Sequence, residues 1–147
     1  MTHSEADKGL EGVVALSSSI SSIINGVLTY KGYDIDDLVD NTSYEEVVYL
    51  LWHEDLPNHQ QLHEFEKSLR NVSNLPEQVV ESLKYFPKTA TPMESLRTAV
   101  SLSGMYDPDG DDISVEANHQ KALRLTAQIP ILVATIERLR TGKRLVN

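Results

Sequence analysis

"TPMESLRTAVSLSG", residues 91 to 104, is the stretch from which the rest of the chain can be read. Thr91 stands where a helix N-cap would stand. Pro92 takes the first helical position, where its missing N–H is no loss, and Glu94 closes a capping box three residues after the cap. Gly104 supplies a stop at the far end. Leu96, Ala99, Val100 and Leu102 run beside Arg97 and several hydroxyls. That mixture reads as a surface for helix–helix contact before it reads as an active site.

Downstream, a long helix is expected over about residues 115 to 140. Ala122, Leu125, Ile129, Leu132, Val133, Ile136 and Leu139 recur as one apolar stripe. Pro130 falls inside it, removing one N–H and crowding the turn before, which predicts a kink. Gly142 ends it. Between the two helices, "YDPDGDD" is a loop. Upstream, Asn74 precedes "LPEQVVESLKYF", with Glu77 at the capping-box position. Asn58 can cap a helix whose Leu62, Phe65, Leu69 and Val72 share a face. "SYEEVVYLLWHEDLP" opens on the box Ser43/Glu46, and Pro57 stops it.

The pattern changes before residue 34. "SISSIINGVLTY" sets Asn25-Gly26 between apolar runs, the favoured pair for a type I′ hairpin turn, and predicts strands near 19 to 24 and 27 to 30. An isolated hairpin is marginal in water and must pack on something. "TYKGYDIDDL" follows, with Tyr30 and Tyr33 around a Gly and three aspartates beyond. The tyrosines read as amphipathic covers of apolar surface. The fold class is therefore mainly α: a single helical domain with a hairpin at about 19 to 30 and helices over about 34 to 140.

Composition narrows the function. The chain has 147 residues and a net charge of −9. That charge argues against a nucleic-acid partner, whose phosphates need a basic stripe. The absence of cysteine excludes disulfides, thiol catalysis and thiolate metal sites. The first twelve residues have no signal-type apolar region, and no run approaches the ~20 apolar residues of a membrane span, so a cytoplasmic location is expected. Counted from Asp107, "DPDGDD" places Asp112 and Asn118 where a calcium-binding EF-hand needs Gly and Glu, so that match fails. His59 and His63 are spaced as two zinc ligands on a helix would be, but no Glu follows the first. They read as an exposed polar face, and His53 and His119 as lone surface or capping residues. No metal site and no catalytic residue is assigned.

Five phrases in register resemble the citrate synthase family, including its 2-methylcitrate synthases. They are "GLEGVVA" (9 to 15), "LTYKGYDIDDL" (28 to 38), "SYEEVVYLLWHEDLP", "TPMESLRTAVS" and "RLTAQIPILVATIERLRTGK". The family typically has Arg where Lys31 stands. The resemblance implies the helical large domain of that fold, with the Gly and aspartates of residues 32 to 37 joining hairpin to helix. It implies an acyltransferase of the tricarboxylic acid cycle that condenses acetyl-CoA with oxaloacetate and holds no tightly bound cofactor. In such enzymes an aspartate removes a methyl proton, one histidine stabilises the enol, and another histidine with arginines holds oxaloacetate. The "PLHGG" and "GFGHRVY" type motifs that carry those histidines are absent, and none of the five histidines here replaces them.

The resemblance therefore implies an N-terminal fragment that is inactive alone. It also implies that a basic residue just before "GLEG" approaches the phosphates of coenzyme A, and Lys8 matches that place. Read from the residues alone, Lys8 is an exposed lysine on a frayed terminus. A homodimer is implied through the helices over about 92 to 104 and 115 to 140, with Leu132 and Ile136 in mid-interface. The alternative function is a shortened non-catalytic homologue that serves as a helical dimerisation module. An in-frame "GHRVY" beyond Asn147 in the gene would favour the enzyme, and a stop codon the module.

Overall fold

The structure is a computed structural model and describes residues 17 to 145. The chain divides into two compact units, one up to Leu62 and one from His63 onward.

The first unit opens with a three-stranded antiparallel sheet of β1 (Ser21–Ile24), β2 (Val27–Tyr30) and β3 (Tyr33–Asp34), in that order. Asn25 and Gly26 have φ of 53° and 83°, the two positive values a type I′ turn requires, so the expected hairpin forms. Ile24 faces Val27 across it. A second two-residue turn follows, with Lys31 at φ 50° and Gly32 at φ 91°. It sets Tyr30 directly opposite Tyr33, which is why an aromatic pair brackets this turn. The hairpin is thus one half of a meander. β1 is exposed along its length, with Ile23 and Ile24 more than 60 % accessible.

Helix α1 (Ile35–Asn41) starts from Asp34, whose carboxylate accepts from the Asp36 N–H at 2.9 Å. Asp36 and Asp37 lie in its first turn, where the helix dipole favours negative charge. Helix α2 (Tyr44–His53) begins with the expected reciprocal box. The Glu46 N–H donates to Ser43 Oγ at 3.2 Å and the Ser43 N–H to Glu46 Oε2 at 2.7 Å. Its end departs from the reading of Pro57 as the stop. Glu54 turns left-handed, with φ 73°, and its N–H closes on the Leu50 carbonyl before the proline is reached. Among the described residues of this unit, Leu38 and Leu50 are the buried apolar side chains.

Helix α3 (His59–Asn71) starts with a second reciprocal box, between Asn58 and Gln61. In the second unit, α4 (Glu77–Leu83) corrects the expectation at Asn74. Pro76 is its N-cap, and no side chain caps it. A residue before proline is pushed out of the α region, so Leu75 cannot begin a helix. Gln128 Nε2 instead donates to the backbone carbonyls of Val72 and Asn74, at 2.9 and 3.1 Å.

Helix α5 (Pro92–Gly104) has the predicted cap, proline and box. Gly104 is its last residue but is not left-handed; Met105 and Tyr106 continue into i→i+3 bonds to Leu102 and Ser103. Helix α6 (Val115–Arg140) runs through Pro130 as one element, capped by Ser114 and closed near Gly142, which has φ 68°. Val79, Leu83, Ala99, Leu132 and Ile136 form the core of this unit. Leu132 and Ile136, expected to stand open in the middle of the stripe, are instead packed inside their own chain, at 1 % and 8 % exposure. The stripe is split: Leu125 and Val133 remain 45 % and 49 % exposed.

Candidate functional site

Two features of the second unit could carry a role, and the acidic loop between α5 and α6 is the more ordered. Arg124, on α6, forks onto Asp107, with Nη2 to Oδ1 at 2.7 Å and Nε to Oδ2 at 3.2 Å. The same Nη2 donates to Asp109 Oδ2 at 2.6 Å. One turn earlier, Lys121 Nζ donates to the carbonyls of Asp112 and Gly110, at 2.5 and 3.1 Å. Partial burial by itself would lower the Arg124 pKa, but the hydrogen bonds it donates to Asp109 and Asp107 outweigh it and hold it above the usual value. The Asp112 carboxyl is held low, first by the Ser114 backbone N–H and then by the Ser114 hydroxyl. Asp107, Asp109 and Asp112 are thus engaged by the protein's own cations and amides. The loop works as a clasp between the two helices. Neither Arg124 nor Lys121 was singled out from sequence, though two basic residues three apart, just after an acidic loop, are a legible signal.

His59 and His63 are exposed on α3, as their polar face predicts. His53 packs its ring against Tyr49, with centroids 4.1 Å apart. The Lys31 ammonium donates to Glu54 Oε1 at 2.9 Å. An Arg at this place could fork, whereas a lysine presents a point charge. Lys8 and the "GLEGVVA" stretch lie outside the described residues. Among the described residues, no group of three or more His, Cys, Asp or Glu converges as metal ligands would. No helix there is long and apolar enough to cross a membrane.

The second feature is apolar surface left open on the α5–α6 pair. Besides Leu125 and Val133, Ile131 is 38 % exposed, Met93 at the start of α5 70 %, and Ile113 and Val115 beside the α6 cap 87 %. None of these four was in the predicted stripe: Ile131 falls off its angular repeat, Met93 is on α5, and Ile113 and Val115 flank the Ser114 cap ahead of its first residue. Open patches of this kind on helices mark places where another surface packs.

Comparison with known proteins gives these features a setting. A family model described as "Citrate synthase, C-terminal domain" matches residues 9–147. Citrate synthase 2 of Bacillus subtilis is 50 % identical over 138 residues, covering 93 % of this chain and 37 % of its own length. 2-Methylcitrate synthase 1 of Corynebacterium glutamicum is 39 % identical over 150 residues, covering 99 % of this chain and 39 % of its own. The crystal structure of citrate synthase from Pyrobaculum aerophilum superposes with a TM-score of 0.84 at 30 % identity, over 99 % of this chain and 40 % of that one. The chain thus spans a little over a third of the length of the curated relatives it matches.

Proposed function

The chain belongs to the citrate synthase family, and we propose that it is the amino-terminal part of such an enzyme, a helical framework without the reacting groups. The family description speaks of a C-terminal domain; the order of the five phrases, from "GLEGVVA" to "RLTAQIPILVATIERLRTGK", is what assigns residues 9–147 to the opening of the fold. The observation that carries the reading is coverage. Nearly all of this chain matches, but on little more than a third of the relatives' length. The complete enzyme would condense acetyl-CoA with oxaloacetate in the cytoplasm. That step needs a base and an electrophile within hydrogen-bond reach of the reacting atoms. The two histidine motifs that would supply such groups are absent from these 147 residues.

Within this reading the framework has two tasks. One is pairing: copies meet through α5 and α6, and the open side chains Leu125, Ile131 and Val133 support it, since a two-fold contact sets one patch against itself. The test is sedimentation velocity on Leu125→Glu and Val133→Glu, which are exposed enough to leave the core alone. Both shift the chain to monomer with helicity unchanged; a parent chain that is already a compact monomer at high concentration overturns the pairing. The other task is the coenzyme A contact of Lys8. In the complete enzyme, Lys8→Ala raises KM for acetyl-CoA by roughly fivefold, about 1 kcal/mol for a solvent-screened phosphate contact, and leaves oxaloacetate unaffected.

A further inference from the structure

A pocket of about 120 Å³ lies between the link from α4 to α5 and the last turns of α6. Phe86, Ile136 and Leu139 give it an apolar wall, and Lys84, Lys88 and Arg140 stand around it. Ser95 of α5 also lines it, and only 7 % of that residue is exposed. The Ser95 N–H is bonded to the Thr91 carbonyl, but its hydroxyl has no hydrogen-bond partner among the described residues. No described side-chain polar atom that is wholly sealed from solvent lacks a partner. The Ser95 hydroxyl therefore keeps an opening, and the pocket is what it lines.

The electrostatics point the same way. Lys84, Lys88, Arg138, Arg140, Lys143 and Arg144 bring six of the 13 Lys and Arg of an acidic chain to this end of the unit. Lys84 is paired with Glu81, and Arg140 forks onto Glu137 at 2.8 and 3.0 Å. Lys88 is exposed and has no ion pair among the described residues. Of the three cations that line the apolar hollow, Lys88 is thus the one without an ion pair among the described residues, and the hollow contains an unused hydroxyl.

We propose that this pocket binds a short-chain monocarboxylate of about four to six heavy atoms. The carboxylate accepts from Lys88 and from the Ser95 hydroxyl, and the hydrocarbon tail lies against Phe86, Ile136 and Leu139. Size sets the limit, because an apolar cavity of about 150 Å³ takes benzene and this one is slightly smaller. A nucleotide does not fit. A bare anion leaves the apolar wall wet, and a neutral alkyl group leaves Lys88 and Ser95 unanswered.

The test is a titration of the isotopically labelled 147-residue chain with sodium butyrate, followed by amide NMR shifts at constant ionic strength. Saturable shifts are expected at Ser95, Lys88 and the end of α6, with a dissociation constant in the millimolar range. Lys88→Glu, on the surface and remote from the core, weakens butyrate at least about fivefold, and Ser95→Ala weakens it about threefold. n-Butanol, which lacks the charge, and inorganic phosphate, which lacks the tail, do not saturate at the same concentrations. Absence of a saturable butyrate response, an equal response to n-butanol or phosphate, or an unchanged constant in Lys88→Glu each overturns the proposal.

Discussion

Adjacent positions on α6 separate the chain's own core from its open face, and truncating both measures the difference. Leu132 is 1 % exposed among Val79, Leu83, Ala99 and Ile136. Leu132→Ala removes three methyl-sized groups at about 0.8 kcal/mol each, and the unfilled space adds a cavity term. The expected loss is about 3 kcal/mol. Val133 is 49 % exposed, so Val133→Ala removes two such groups that are half in water already, worth at most about 0.8 kcal/mol. With a urea slope of about 1.5 kcal/mol per molar, the first change lowers the midpoint by about 2 M and the second by about 0.5 M. Far-UV circular dichroism is the readout, because it follows the helices α4 to α6 that build this core, whereas the single tryptophan, Trp52, is on α2. Equal shifts, or a larger one for Val133→Ala, would refute the assignment of Leu132 to the intrachain core.

Two further outcomes follow from the ion pairs and caps. Arg124→Gln unfastens Asp107 and Asp109 and costs about 1 to 2 kcal/mol in the same urea assay; Arg124→Lys recovers less than half, and 1 M salt narrows the gap because the pairs are part-exposed. The Glu94 carboxyl is held below its usual value, first by the Thr91 backbone N–H and then by the Thr91 hydroxyl. A lowered folded pKa stabilises above the unfolded value and is lost as pH falls through the folded one. The melting temperature of the parent chain should therefore exceed that of Glu94→Gln at pH 7, and the gap should close as pH falls below the usual glutamate range.

What could be read in advance was what is encoded locally. The boxes at Ser43/Glu46 and Thr91/Glu94, the Asn25-Gly26 turn and the helix through Pro130 each depend on residues a few positions apart. A turn at Gly32 was legible, but not that it is a second hairpin turn leading into β3, because Lys31 is a poor residue for positive φ. The Tyr30–Tyr33 pairing and the contact of Lys31 with Glu54, 23 residues on, fix it there. Periodicity likewise put Leu132, Ile136, Leu125 and Val133 on one stripe, but it cannot tell which of them α4 and α5 will cover. The Arg124 clasp was hidden for the same reason, since it joins residues 15 and 17 apart through the path of a loop. Ser95 gave no signal at all, because a serine in the first turn of a helix normally faces water.

The account rests on this chain carrying the framework of a citrate synthase without its chemistry. The direct measurement is free coenzyme A released from acetyl-CoA and oxaloacetate by the purified 147-residue chain, followed as free thiol against a buffer blank. With no cysteine in the sequence, the protein adds no thiol background of its own. Release should stay at the blank at every protein concentration. Thiol release that rises in proportion to the chain and requires oxaloacetate would contradict the account.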